Sequence, residues 1–427
     1  MRFLINSKSK WWSRVAVLWA IYIASVFSFP SSIQNIQNII WGGGLLVGSS
    51  TLYVLSRDFK WRQVPLEVIL LTLFLLWALF GGIFAGLSDA FIKYSRQIFQ
   101  FILILFLLSI VILKSSNIKV FYWAFVVLAI MITLYSIMRA KDLGLEVSVH
   151  SIERLEEANA QGFRCVMGLL GILALYPEVK SRVVRFALAL SSPIVIYGLI
   201  LSASRSALVV TFATIVIWPF LCFSKLSQSK WTVLLIIAAI FGTAYWSQDF
   251  IIEQTNLGRR FMFLLNMQDS SSEIRLELIL LGLNKFLEYP ITGVGLGHFG
   301  VASGTDSYAH NELVEILTTT GLVGALLYYY AYLTTWRRLS RSLRNLHDPI
   351  FLYRVNFARM ILILLLIAGF SSRPNFLGQD TMFLYAVVVG ISLSARRLAI
   401  QASQRVKLQP FPDASSLDSV YASHRFS

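Results

Sequence analysis

Charged residues and cysteines are both scarce in this chain of 427 residues. Asp, Glu, Lys and Arg together make up 14% of it, whereas hydrophobic residues make up 56% and the mean hydropathy is +0.68. A soluble domain of this length cannot bury so much apolar surface, so the composition indicates an integral membrane protein. Cys165 and Cys222 both lie in apolar runs, and two such cysteines exclude a disulfide framework.

Two further features are missing. No small-residue cleavage site follows the apolar run 12–29, so we interpret this run as a first membrane span and not as a removable signal peptide. The chain also has no internal repeat and no Gly/Ser-rich linker, which favours one membrane domain over residues 1–400. Residues 401–427 are rich in serine and are predicted to form a disordered cytoplasmic tail.

A membrane-spanning helix needs about 20 mostly apolar residues. Apolar segments that approach this length recur along the chain. The sequence therefore predicts an all-α, polytopic membrane protein with about 12 spans. The predicted spans are 15–30, 36–56, 64–86, 94–113, 118–138, 162–177, 184–203, 206–223, 231–247, 312–336, 355–371 and 380–395.

The net charge of +15 is distributed unevenly between the two predicted faces. With the N-terminus in the cytoplasm, the inner face carries a net charge of +19 and the outer face −4, as the positive-inside rule requires. The inner face has two basic clusters, and we interpret them as topology anchors at anionic headgroups and not as a nucleic-acid site. The clusters are Arg337, Arg338, Arg341 and Arg344, then Arg396 and Arg397.

This orientation places three polar segments on the outer face. One is the loop 139–160, which is acidic in its second half, and another is the short turn SASRSA between the seventh and eighth spans. The largest segment, 247–311, is long enough to cover a site, and loops of this length are usually functional or disordered. The pattern SSEIRLELILLGLNKFLEY within it predicts an ordered helix.

Arg205 lies in the SASRSA turn, between two apolar spans. An arginine at a membrane boundary can simply extend its side chain towards the headgroups. The flanking residues Ser202, Ser204 and Ser206 favour a functional interpretation, because small side chains leave room around the guanidinium. A guanidinium offers a planar set of donors that matches phosphate oxygens, so Arg205 is a candidate catalytic residue and Ser204 a candidate substrate-binding residue.

His310 is one of only five histidines and stands where the large outer loop meets the tenth span. Asn311 is placed to cap that helix, and a helix N-terminus favours a neutral imidazole, which can accept a proton from a hydroxyl group. Glu312 or Glu315 is placed to orient the ring; alternatively, both carboxylates only stabilise the first helical turn. The candidates here are His310 for catalysis, and Asn311 and Glu315 for substrate binding.

The large loop also supplies arginines and a glycine-rich stretch. Arg275 projects from the predicted amphipathic helix and is a candidate catalytic residue, whereas Arg259 and Arg260 are substrate-binding candidates whose alternative is a solvated surface. GVGLGHFG has the glycine spacing of a dinucleotide site, but no βαβ unit accompanies it. We interpret it as a tight turn whose N–H groups can face an anion.

Sites of two other kinds find no support in the sequence. No cluster of Cys, His or carboxylate residues has the spacing of metal ligands, and no Ser-His-Asp arrangement is recognisable. We therefore predict no metal and no cofactor.

The motifs in residues 190–335 together resemble the O-antigen ligase and O-antigen polymerase superfamily. They are SASRSALVV, then SEIRLELILLGLNKFLEYPITGVGLGHFG, then SYAHNELVEILTTTGLVGALLYYY. The resemblance depends on their order, spacing and placement on the outer face. The N-terminal half of the chain matches the family only in hydropathy.

The resemblance implies an activity and a place for it. Family members are metal-independent membrane glycosyltransferases with a helical, GT-C-like fold, and they use undecaprenyl-diphosphate-linked glycans on the periplasmic face of the inner membrane. Ligases pass the glycan to the lipid A core, and polymerases pass it to another lipid-linked repeat unit. By position, Arg205 and Arg275 would bind the diphosphate, and His310 would act on the acceptor hydroxyl, with inversion at the sugar. Arg373 corresponds less specifically to a family arginine.

Two alternatives stay open at this stage. A polytopic transporter or flippase is consistent with twelve spans, although transporters usually show repeated halves and ionisable residues near the midplane. Within the family, an O-antigen or exopolysaccharide polymerase has the same catalytic needs as a ligase. We expect a ligase.

Overall fold

Helices make up nearly all of the residues that the structure describes. The computed structural model describes residues 7–28, 34–56, 64–115, 117–142, 158–202, 204–222, 270–305, 307–344, 346, 348–370 and 374–408. A short 3-10 turn, Asn375–Leu377, precedes the last helix. The α-helices within these ranges are α1 (Ser7–Ser28), α2 (Gln34–Ser56), α3 (Leu66–Ala85), α4 (Asp89–Ser115), α5 (Lys119–Asp142), α6 (Ala158–Leu175), α7 (Arg182–Ser202), α8 (Arg205–Cys222), α9 (Ser270–Glu288), α10 (Phe299–Ser303), α11 (Glu312–Leu343), α12 (Pro349–Gly369) and α13 (Gln379–Leu408).

Eight of these helices are long and apolar enough to cross a membrane, namely α3, α4, α5, α7, α8, α11, α12 and α13. Three more predicted spans coincide with α1, α2 and α6. The ninth predicted span, 231–247, lies outside the described residues. The predicted all-α, multi-pass membrane fold is thus confirmed, whereas the count of twelve spans stays a prediction.

The helices align so that the bundle has two distinct ends. At one, the start of α11 meets the segment before α13, because the backbone N–H of Asn375 donates to Glu312 at 2.6 Å. At the other, the end of α8 meets the start of α12, where Trp218 Nε1 donates to the Tyr353 hydroxyl at 3.1 Å. We call the end that holds His310 the upper end and the end that holds Arg338 the lower end.

The chain enters the undescribed segment 223–269 at one end of the bundle and leaves it at the other. Cys222 closes α8 at the lower end, beside the start of α12. α9 packs against the first turns of α11 at the upper end, where Thr318 Oγ1 donates to the Gly282 carbonyl at 2.9 Å. α8 thus ends at the lower end of the bundle, and α9 lies at the upper end.

α11 is broken at Gly321, so the single helix predicted over 312–336 is wrong in this respect. Gly321 has φ 66° and ψ −172° inside the helix. The break interrupts the helical hydrogen bonds, and groups from distant segments bind the released carbonyls. Val294 N–H donates to Thr318 O at 2.8 Å, Gly295 N–H to Thr319 O at 3.1 Å, and Trp77 Nε1 to Thr320 O at 2.9 Å.

These bonds also correct the interpretation of the glycine-rich stretch. The predicted tight turn is present, with Gly293, Gly295 and Gly297 all at positive φ. The N–H groups of Val294 and Gly295, however, face carbonyls of α11 and not an anion. The turn therefore binds the first nine residues of α11, which precede the break at Gly321. It fixes their position relative to the transmembrane part of the helix, which follows the break.

A further correction concerns the C-terminal tail. α13 runs to Leu408, so residues 401–408, which the sequence analysis places in a disordered tail, are helical. Residues 409–427 lie outside the described part of the chain.

Replacing Gly321 by alanine is expected to destabilise the fold by about 3 kcal/mol or more, the scale of steric conflicts that cannot relax. A Cβ there would overlap the carbonyl group of Ile291, and positive φ disfavours any side chain. The matched control is Gly48→Ala in α2, where a Cβ meets nothing within 4 Å. Thermal unfolding in detergent measures both variants, and equal midpoints would contradict the importance of the break.

Candidate active site

The turn before α11 holds His310 in an unusual backbone conformation. Its φ is 53°, and it is the one non-glycine residue at positive φ among the described residues. Its ring lies against that of Tyr308, with centroids 4.0 Å apart and planes 33° apart. Such conformations cost free energy and persist only where the surroundings enforce them, often at functional sites.

Asn311 and Glu315, which both follow His310 in the chain, hold this turn in place. Asn311 is the N-cap of α11, as the sequence predicts, because its Oδ1 accepts from Val314 N–H at 3.1 Å. Its Nδ2 donates to the carbonyl of Phe370, at the end of α12, at 3.3 Å. Glu315 is buried, and its Oε2 accepts from Ala309 N–H at 2.7 Å. Both side chains therefore shape the backbone on either side of His310, and a contact of either with substrate stays a prediction.

Glu312 lies beneath the same turn, almost fully buried. Its Oε1 accepts from the Tyr328 hydroxyl at 2.8 Å and from Asn375 N–H, and its Oε2 accepts from Asn375 Nδ2 at 3.1 Å. A buried carboxylate is tolerated only with such partners. Glu312 thus ties three segments together, namely the start of α11, its transmembrane part and the segment before α13.

Arg205 is the first residue of α8, directly after the turn that follows α7. The predicted near-absence of a loop is confirmed, since α7 ends at Ser202. Ser204 is buried, and its Oγ accepts from Ala207 N–H at 3.3 Å in the manner of a helix cap. The Arg205 side chain is half-buried, so a bound molecule can reach it at the start of the helix.

α6 approaches the Arg205 turn closely. A Cβ at Gly162 would come within 2.7 Å of Ser202 Oγ and Ser204 Cβ, so only glycine permits this contact. Ser204 Oγ also donates to Asn159 Oδ1 at 2.9 Å. The first turns of α6 therefore belong to the surroundings of Arg205.

A series of contacts connects the Arg205 turn to the His310 turn. Arg164, one turn along α6 from Asn159, donates through Nε to Asp380 at 3.4 Å, and both side chains are about nine-tenths buried. Asp380 begins α13 just after Asn375, which binds Glu312. Arg205 and His310 thus lie at the same end of the bundle, as the sequence analysis predicts.

Arg275 approaches the same region from α9. Leu278, one turn further along, is buried with Ala309 and Val314 in a small apolar cluster. Residues three apart lie on the same face of a helix, so Arg275 is on the face of α9 that is turned towards the His310 turn. Its side chain is half-buried. Arg205, Arg275 and His310 therefore all lie at the upper end of the bundle.

Three of the arginines singled out from sequence are not covered by the structure, since Arg259, Arg260 and Arg373 lie outside the described residues. His298 lies at the upper end too, but its Nδ1 is 3.1 Å from the carbonyl of Leu296, which marks a local structural role. No group of three or more His, Cys, Asp or Glu residues in the described part of the chain is arranged to hold a metal ion.

Asn375, Arg164 and Asp380 were not predicted from the sequence. Asn375 is 63 residues from Glu312, and Arg164 is 216 residues from Asp380. The only local signal was a polar residue inside or next to an apolar segment, which membrane proteins seldom retain without a role. That signal does not identify the partner.

Glu312→Ala is expected to destabilise the protein by about 3 kcal/mol or more. The variant removes the acceptor of the buried Asn375 N–H and one of the acceptors near the Tyr328 hydroxyl and Asn375 Nδ2, and each unsatisfied buried group costs about 1–3 kcal/mol. The control is Glu288→Ala, which removes only an exposed pair with Lys285 and is expected to change stability by about 0.5 kcal/mol or less. Thermal unfolding in detergent compares them, and a Glu312→Ala midpoint equal to that of the wild type would refute the role.

Comparison with known families agrees with this arrangement. Residues 186–329 match the family model Wzy_C, described as O-antigen ligase, and this segment contains Arg205, Arg275 and His310. A search of curated proteins found no match to the chain. The family match supports the resemblance inferred from the motifs, since residues 186–329 of this multi-pass helical membrane protein are similar to the O-antigen ligase family.

Proposed function

We propose that this protein is a glycosyltransferase that moves a glycan from undecaprenyl diphosphate to a sugar hydroxyl on the periplasmic face of the bacterial inner membrane. The acceptor we favour is the lipid A core. The observation that supports the proposal is that Arg205, Arg275 and His310 lie at the same end of the bundle, within the segment that matches the family. In the predicted orientation, this end faces the periplasm, because the basic clusters lie at the other end.

In the proposed reaction, the bond between the anomeric carbon and the diphosphate oxygen breaks as the acceptor oxygen bonds to that carbon. The leaving diphosphate takes the electron pair, and His310 takes the proton of the acceptor hydroxyl. Arg205 and Arg275 stabilise the charge that develops on the diphosphate, a role for which fixed donors in a partly dry site are well suited. Attack from the side opposite the diphosphate inverts the configuration at the sugar.

The location of the residues suits a donor with a lipid tail. Undecaprenyl diphosphate places its diphosphate at the depth of the headgroups. Arg205 is the first residue of a helix that is long and apolar enough to span a membrane, and a residue at the end of such a helix would lie at the same depth. The N-terminus of α8 adds backbone N–H groups and a partial positive charge, both of which favour an anion. The substrate-binding roles of Ser204, Asn311, Glu315, Arg259 and Arg260 belong to this proposal as well.

The test is transfer by the purified protein in liposomes, with a lipid-linked glycan donor and lipid A core as acceptor. We expect core-linked glycan to form, and to form equally well with EDTA present. Product only with a second lipid-linked repeat unit as acceptor would identify a polymerase. Movement of the donor across the bilayer without transfer would overturn the proposal in favour of a transporter.

A further inference from the structure

We propose that the lower end of the bundle holds a binding site for one anionic phospholipid, between α3, α11 and α13. The structure has a cavity of about 420 Å³ there, and four of the residues that line it are arginines. They are Arg337, Arg338, Arg341 and Arg396. This site lies at the opposite end from His310 and does not depend on the proposed function.

One arginine is fixed in the wall of the cavity. Arg338 donates to the fully buried Glu67 at 3.0 Å and to Ser392 Oγ at 3.0 Å. Thr335 also donates to Glu67, at 2.8 Å. Because the Arg338 charge is offset by Glu67, this pair supplies rigidity to the site and little net charge.

The remaining three arginines supply the positive charge. Arg337, Arg341 and Arg396 are exposed, and none of the described residues that line the cavity is acidic. Like charges gathered around one cavity repel each other, and an anion with several oxygen atoms relieves this repulsion. Guanidinium groups bind phosphate oxygens through paired hydrogen bonds, so a phosphate group is the anion that fits.

The rim of the cavity favours a lipid over a soluble phosphate. Tyr330 and Leu66, which also line it, are 44% and 43% exposed, and Tyr330 stands about two turns nearer the middle of the bundle than Arg337. Both belong to helices that are long enough to span a membrane. A molecule with a phosphate at the arginines and an acyl chain along these side chains meets both parts of the lining, as in basic pockets between transmembrane helices.

The chain offers a closely matched pair of variants. The cavity variant is Arg341→Gln with Arg396→Gln. The control is Arg344→Gln with Arg397→Gln, which removes the arginine that caps α11 and the α13 residue next to Arg396, both outside the cavity lining. Both variants lower the charge of the inner face equally, so a difference between them reports on the cavity itself.

The experiment measures binding of phosphatidylglycerol to the purified, full-length protein by native mass spectrometry, with phosphatidylcholine as the neutral lipid. We expect the wild type and the control variant to retain one phosphatidylglycerol, and the cavity variant to bind it at least tenfold more weakly. If the cavity variant does not fold, Arg341→Lys with Arg396→Lys replaces it; lysine keeps the charge but not the paired donors, and a several-fold loss is expected.

Three results would overturn the proposal. Equal loss of binding in the cavity and control variants would mean that only the general charge of the inner face matters. Equal retention of phosphatidylcholine would exclude recognition of the anionic headgroup. Displacement of phosphatidylglycerol by millimolar inorganic phosphate, with equal stabilisation of the protein by phosphate alone, would identify a soluble phosphate and not a lipid as the ligand.

Discussion

His310→Gly is expected to lower the rate of glycan transfer by at least 10²-fold while the protein stays folded in the membrane. A positioned general base contributes about 10²–10⁴-fold in rate, and glycine removes the imidazole completely. Glycine is the informative replacement because His310 has φ 53°. It adopts this conformation without strain, whereas His310→Ala keeps a Cβ in the left-handed region and combines the loss of the base with a backbone effect.

Two further variants separate catalysis from structure. His310→Asn keeps a residue that tolerates positive φ, and we expect it to be as inactive as His310→Gly. His298→Gln changes another histidine at the upper end, one held by a local contact with Leu296, and it should retain transfer. Wild-type-like glycan ladders from a well-expressed His310→Gly variant would refute the role of the imidazole.

Arg205→Ala is expected to reduce kcat/KM for the lipid-linked donor by about 10–10²-fold, since a hydrogen bond to a charged group contributes about 1.5–3 kcal/mol. The loss should not come from unfolding. An arginine in the first turn of a helix opposes the helix dipole by about 0.3–1 kcal/mol, so alanine should leave α8 intact or more stable. Arg205→Lys keeps the charge but not the paired donors, and we expect it to recover only part of the activity.

The matched control is Arg182→Ala. Arg182 is also the first residue of a membrane-spanning helix, but its helix α7 begins at the lower end. Loss of a charge at a helix start is therefore the same in both variants, and only the end of the bundle differs. Equal transfer rates for Arg205→Ala and the wild type, or an equal loss in Arg182→Ala, would contradict a role for Arg205 in binding the donor.

Hydropathy and charge were sufficient to predict the multi-pass helical fold and the common end of Arg205 and His310. Both follow from averages over many residues, and a membrane restricts the chain to helices that alternate in direction. The break at Gly321 escaped these averages. It depends on donors from Val294, Gly295 and Trp77, and the hydropathy of the surrounding TTTGLVG stretch gives no sign of them.

The candidate site could be predicted only in its main residues. The asparagine cap of α11 was visible because capping is local in sequence. The positive φ of His310 and the burial of Glu312 under Tyr328 and Asn375 were not, because they result from packing between segments far apart in the chain. The carboxylates proposed from spacing alone prove to have backbone and side-chain partners that hold the turn.

Cysteine labelling in spheroplasts shows directly whether the Arg205 turn and the His310 turn both face the periplasm. Single cysteines at Ser206 and Ser307, in a chain with Cys165→Ala and Cys222→Ala, are exposed to a membrane-impermeant maleimide in spheroplasts. We expect Ser206→Cys and Ser307→Cys to react without permeabilisation, and Arg341→Cys to react only after the membrane is permeabilised. Labelling of Ser206→Cys and Ser307→Cys from opposite sides, or of both only from the cytoplasm, would contradict it.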